Sequence, residues 1–189
     1  MRTLSILLLL TAAAHGAEYT IDPTHSAATF GVRHMMVSTV RGHFSKVTGK
    51  VSYDPKNLAA AKVEATIDAA TVDTREPKRD AHLKSPDFLD AAKFPTLTFR
   101  STKWTREGEK LKIAGDLTLH GVTKAVVLDV DGPAAEVKGQ GGAMMIGASA
   151  TTKISRKDFG LSWNRLLEAG GAVVGDEVNI TLDIEAKRN

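Results

Sequence analysis

The 189-residue sequence contains no cysteine, which excludes disulfides, thiolate catalysis, cysteine-ligated metal and a lipidated N-terminal cysteine together. Stability has to come from packing. Aromatic residues make up only 5% of the chain, so an interior built here relies on aliphatic and small side chains. Charge of one sign is lacking too. Lysine plus arginine number 25 against 22 aspartate plus glutamate, interleaved without a basic block, which argues against nucleic acid as a partner. Hydrolase and nucleotide signals are missing: there is no G-x-S-x-G elbow and no phosphate-cradling glycine loop.

One long apolar run is present. After Met1-Arg2 the chain is apolar from Leu4 to Ala14 and then passes into small residues. One positive charge, a short unbroken apolar stretch and a small-residue exit describe a secretory signal peptide, too short to span a bilayer. Residues 1–17 are assigned to it, with cleavage after Ala14, Gly16 or Ala17, and residues 18–189 to one soluble domain exported to the periplasm or secreted. A chain of this size buries about 70% of its unfolded surface, enough for a single core.

Along the domain, period-two alternation recurs. Ala28, Phe30 and Val32 fall on one face of a strand, Thr29, Gly31 and Arg33 on the other. Residues 40–53 repeat the pattern with a change of parity between Phe44 and Val51, which predicts a bulge near Ser45 to Thr48. Further alternating sets follow at 62–68, 97–99, 111–119, 126–130, 144–150 and 178–184, separated by turn residues. About eight strands result. The chain is therefore all-β, and an eight-stranded antiparallel barrel is preferred over a sandwich, because closure removes the long unprotected edge of residues 178–184.

The segment from Asp73 to Arg100 breaks the strand pattern. Pro77 suits the first position of a helix, Pro86 ends it, and Ser85-Pro86 opens a second short turn, so two short helices are expected across the mouth of the barrel. Asp80 and His82 lie two residues apart, which on a helix turns them in different directions. The structural reading has Asp80 capping or pairing with Lys84 and His82 bonding a loop carbonyl. The five histidines beyond the leader are scattered, and metal is not expected.

Small inward residues such as Ala28, Ala65, Ala148 and Ala150 favour a cavity over a filled barrel. Phe30, Phe44, Phe99, Met144 and Trp163 are the candidate apolar lining, and His34, Arg79, Asp80, His82 and Arg156 the candidate polar mouth. Arg33, Arg79, Arg156 and Arg165 are all candidates to meet an anionic headgroup, and the sequence leaves the choice open.

These residues, taken in order, resemble a known family. Asp22-x-x-His25-Ser26 with Phe30 and His34, Gly42-x-Phe44, Arg79-Asp80-x-His82-Leu83 with Asp87-Phe88, Phe94-Pro95, Gly115-x-Leu117-Thr118-x-His120-Gly121-Val122-Thr123-Lys124, Arg156-x-Asp158-Phe159-Gly160 and Gly175-Asp176-x-Val178 are similar to the YceI-like polyisoprenoid-binding proteins. The family pattern often carries two phenylalanines where this chain has Phe88-Leu89. The resemblance implies a lipocalin-like, extended eight-stranded barrel in the periplasm. Its interior would hold a long isoprenoid, a polyprenyl pyrophosphate or a quinone tail, with no cofactor and no catalysis. Transient membrane contact and a homodimer are compatible with such a binder. The rival readings are an enzyme acting on an isoprenoid lipid and a ligand-free structural or stress-response module.

Overall fold

A computed structural model describes residues 16–165 and 172–189. Residues 1–15, which carry nearly all of the expected leader, lie outside them. The strands are β1 (Ala17–Ile21), β2 (Ala27–His34), β3 (Ser38–Phe44), β4 (Val47–Tyr53), β5 (Lys62–Asp68) and β6 (Val72–Asp73), then, after helix α1 (Pro77–Lys84), β7 (Thr96–Glu107), β8 (Lys110–Leu119), β9 (Val122–Asp131), β10 (Val137–Lys138), β11 (Met144–Ser155) and β12 (Val174–Arg188).

These twelve pieces occupy eight positions in a closed antiparallel barrel. β1 and β2 lie end to end along one edge of β12, with Ile21↔Ala186 and Ala27↔Asp183 on either side of the Asp22–Ser26 turn. β3 and β4 share the next position, opposite β2 and β1, and β6 continues β5. From there β7, β8 and β9 meander, and β11 pairs along its length with β12. The ring is thinnest between β9 and β11, which pair only from Ser149↔Asp131 to Thr151↔Asp129. Closure leaves β12 no free edge, as its unprotected sequence requires. β1 starts at Ala17, opposite Tyr53, so cleavage after Ala14 or Gly16 leaves this strand whole.

Two irregularities redirect side chains. The break at Ser45-Lys46 switches the inward parity from Phe44 to Val47, Val51 and Tyr53, so the expected change of parity is present, carried by an interruption between two strands instead of a bulge within one. A second register shift in β7, between Ser101 and Lys103, moves the inward set from Leu97 and Phe99 to Trp104.

One end of the barrel is filled by Tyr19, Ile21, Val51, Tyr53, Trp104 and Leu111, with the Tyr53 and Trp104 rings 5.8 Å apart. At the other end Phe88, Leu119, Ile154, Phe159 and Leu161 form a smaller cluster. This is the end where α1 sits. Glu76 caps α1, its carboxylate accepting from Lys78 N (3.2 Å) and Arg79 N (2.6 Å), and Pro77 takes the first helical position. The second helix expected after Pro86 is instead a run of turns. Phe88 N bonds Ser85 O and Phe94 N bonds Asp90 O, and the left-handed backbone of Asp90 (φ 45°) prevents continuation as a helix.

Candidate functional site

Between the two clusters lies a cavity of about 460 Å³, within the range of small-molecule sites. Its wall is aliphatic and aromatic almost throughout. Phe30, Phe44, Phe99 and Trp163 stand on it, as do Ala28, Ala65, Ala148 and Ala150, whose short side chains leave the space open. Phe30 and Phe44 meet at 5.7 Å between ring centroids. Gly42 lies opposite Phe30, and a Cβ there would collide with the Phe30 ring and the Thr74 methyl, so the missing side chain makes room for the aromatic.

Met144 is not on the wall. It keeps the inward parity of Ile146, Ala148 and Ala150 but is the first residue of β11, where it pairs with Lys138 of β10 beyond the end of the cavity.

Besides Thr29, Thr98 and Thr152, the polar residues that reach the wall are Arg33, His34, Arg79, His82 and Arg156. Asp80 does not reach it. Its Oδ1 accepts from Thr74 N (2.8 Å) and Thr74 Oγ1, so that of the two expected roles, capping or pairing with Lys84, it takes the one of binding a local backbone N–H. Thr74 is 4% exposed and in turn receives Arg79 Nε (2.7 Å) at its hydroxyl and Nη2 (2.9 Å) at its carbonyl. Asp80 therefore positions Arg79 through Thr74. Among the described residues Arg79 Nη1 has no hydrogen-bond acceptor.

Among the described residues His82 donates to no loop carbonyl, contrary to expectation. Its Nε2 is 2.8 Å from Asp87 Oδ2, and its ring stands edge-on to both Phe88 and Trp163, each at 4.9 Å. Phe88 and Trp163 are themselves 5.1 Å apart. This three-ring cluster ties the α1 segment to residues 161–163. The Asp80–His82 pair is not assembled, because each side chain has a different partner.

Arg156 occupies a different role from the one its place in the sequence suggests. It is 4% exposed, and its guanidinium donates to the carbonyls of Gly175 (2.9 Å), Leu161, Trp163 (2.9 Å) and Val174 (3.4 Å) and to Asp176 Oδ1 (3.2 Å). Burial pulls its pKa down, and the Asp176 carboxylate opposes that shift. With its donors occupied by the chain, Arg156 clamps the mouth segment onto the start of β12. Gly160, with φ 78°, allows the chain to reverse directly after the Arg156–Phe159 turn.

Sequence reasoning missed Trp104, Leu83, Leu89 and Thr74. Trp104 is hidden by the β7 bulge, and Leu83 and Leu89 belong to a helix and turns too short to show a period. Thr74 carries no signal at all.

A third group lies away from the cavity. Asp22, His25 and Glu185 could together offer ligand atoms to a cation. Asp22 is instead engaged by Thr24 N (2.9 Å), His25 Nδ1 (3.2 Å) and Lys187 Nζ (3.7 Å), with the first two chiefly responsible for holding its pKa down to about 2.

Comparison with known proteins gives one consistent result. The YceI-like domain matches residues 19–186. The protein YceI of Salmonella newport is 42% identical over 166 residues, covering 85% of this chain and 84% of that protein. A crystal structure of the Campylobacter jejuni YceI protein superposes with a TM-score of 0.66 at 33% identity, covering 83% of this chain and 90% of that one. A polyisoprenoid binding domain from Saccharophagus degradans shares the fold, with a TM-score of 0.63 at 17% identity over 90% of this chain and 98% of its own.

Proposed function

The chain belongs to the YceI-like family, and from that premise we propose that its barrel holds one long amphiphilic lipid, a polyisoprenoid such as a polyprenyl pyrophosphate or a quinone tail. The observation that carries this reading is the apolar cavity, into whose wall only a few polar side chains are set, Arg79 and His82 of α1 among them. Each methylene equivalent moved from water into such a cavity contributes roughly 0.8 kcal/mol, so a long chain binds tightly with few polar contacts. The neighbour from Saccharophagus degradans, described as a polyisoprenoid binding domain, supports the ligand class.

At the mouth Arg79 is the cation we assign to an anionic headgroup, since it retains a guanidinium nitrogen where Arg156 does not. The reading is of a carrier or sequestering protein that needs no cofactor. A catalytic reading would have to use His82 with Asp87, since Asp80 is tied to Thr74. Export to the periplasm is proposed from the apolar run of residues 4–14.

The test is native mass spectrometry of protein expressed with its leader, followed by organic extraction of whatever leaves with it. A stoichiometric isoprenoid is expected. An empty mass, with no uptake of added prenyl lipids, would replace this reading by that of a ligand-free module.

A further inference from the structure

The hairpin joining β2 to β3 ends in Met35, Met36 and Val37, which are 42%, 62% and 78% exposed. Among the described residues the other exposed large apolar side chains, Val127 and Val137, stand apart from one another on different strands. Three in succession at a tip are a different matter. Contiguous exposed apolar surface on a water-soluble barrel marks a contact with something else.

Turn chemistry does not account for these residues. Val37 N bonds His34 O at 3.1 Å, and both central residues, Met35 (φ 50°) and Met36 (φ 61°), have left-handed backbones. Hairpin turns of this form favour Asn-Gly, because Cβ crowds the following carbonyl oxygen in that region, a clash that glycine avoids and asparagine offsets by local hydrogen bonding. Methionine at both positions opposes the local backbone preference, so the apolar side chains serve something other than the turn.

Shape selects the partner. The three exposed residues are the whole connection between β2 and β3, so the apolar surface is the tip itself instead of one face of a strand. A protein groove would cover one side of such a wedge, whereas the boundary of a lipid bilayer surrounds it. Directly behind the tip lies Arg33, exposed, donating to Met36 O and to Thr39 Oγ1 (3.2 Å), and Arg41 is exposed further along β3. Cations set one step back from inserted apolar side chains meet lipid phosphates.

Position gives the contact its use. Val32, His34 and Val40, immediately below the tip, line the cavity, and Met35 N is held by Val173 O at 2.8 Å beside the mouth. We propose that the Met35-Met36-Val37 tip inserts into the surface of an anionic phospholipid bilayer and sets the cavity mouth against it, so that a lipid passes between bilayer and barrel. The passage of lipid rests on the reading of the cavity given above; the docking itself does not.

The experiment is flotation of the mature protein with vesicles of phosphatidylethanolamine and phosphatidylglycerol, comparing wild type with the double variant Met35→Asn, Met36→Gly. That variant suits the turn better and should melt at the same temperature or higher, so loss of folding does not explain a loss of binding. Vesicle-bound protein is expected to fall at least tenfold. Equal flotation of both proteins, absence of flotation by wild type, or a wild-type dimer that the variant abolishes while vesicle binding is unchanged would each overturn the proposal. Uptake of geranylgeranyl pyrophosphate in vesicle-free solution, expected to be equal in both proteins, reads the cavity separately: its failure would sink the lipid-binding reading while flotation still decides the docking.

Discussion

His82 stands edge-on to Trp163, ring centroids 4.9 Å apart and planes at 90°, and this contact joins the α1 segment to the strip of chain held by Arg156. Aromatic pairs of this kind contribute about 0.5–1.5 kcal/mol each beyond their buried area. Trp163 makes two of them, with His82 and Phe88. Trp163→Ala is therefore expected to raise the off-rate of a bound prenyl lipid roughly tenfold, since about 1.4 kcal/mol is a factor of ten. Stopped-flow displacement measures it, and an unchanged off-rate would mean that the lipid leaves by another route.

Arg79 and Thr74 form the second test. Arg79→Gln is expected to weaken binding of a prenyl pyrophosphate by roughly tenfold while leaving a prenyl alcohol of the same length unaffected, as removal of a charge-assisted hydrogen bond of about 1.5–3 kcal/mol predicts. Thr74→Val should reproduce part of the effect, because it frees the guanidinium from its brace. Competition titrations with the two lipids compare them directly.

Arg156 is predicted to be a stability residue. Arg156→Ala leaves the carbonyls of Leu161, Trp163, Val174 and Gly175 without their donor and is expected to cost about 3–5 kcal/mol in urea unfolding, in the range for breaking a buried, hydrogen-bonded charge. Arg156→Lys should rescue little, since one ammonium cannot reproduce the fork.

Ala148 lies on the cavity wall in β11, with room before it. Ala148→Phe is expected to reduce lipid uptake at least tenfold with an unchanged or higher melting temperature, because the ring fills space that no protein atom occupies. A melting temperature that falls steeply would show that the site was already packed.

Asp22 sets an acid limit. Its pKa, ordinarily 3.8, is held at about 2 by the Thr24 amide, then by His25 and Lys187. A carboxylate whose pKa is lower in the folded than in the unfolded protein adds stability above its ordinary pKa and loses it as pH falls toward the folded value. The wild type should lose stability more steeply than Asp22→Asn between about pH 4 and pH 2, as thermal melts across that window would show.

Much of the barrel was legible because its signal is local. Alternation in β2, β5, β8 and β12 states which face is buried, and Phe30 in β2 follows from it directly, as Phe44 and Phe99 do from the shorter patterns of β3 and β7. The parity change after Phe44 announced the break between β3 and β4, whereas the one in β7 did not announce its bulge, because the residues around it offer no second apolar position to reveal the shift. Trp104 was lost for that reason. Met144 failed differently: parity states the face of a strand but not whether the cavity extends to its end. At the mouth, the roles of Arg79 and Arg156 depend on which carbonyls and hydroxyls surround each guanidinium, and those partners come from Thr74, Leu161, Trp163 and Gly175, which no spacing rule connects.

The last strand in the sequence is the one that closes the ring, running between β11 and the end-to-end pair β1 and β2. During synthesis, every residue up to Trp163 can be present while the wall still has a gap one strand wide. Joining the first strand to the last requires the longest loop closure in the chain, which makes it the entropically dearest and slowest pairing. No lipid can be enclosed before the C-terminal residues arrive. A chain stopped short of β12 exposes two open edges and an apolar interior together, so truncation here should produce aggregates instead of a weaker binder.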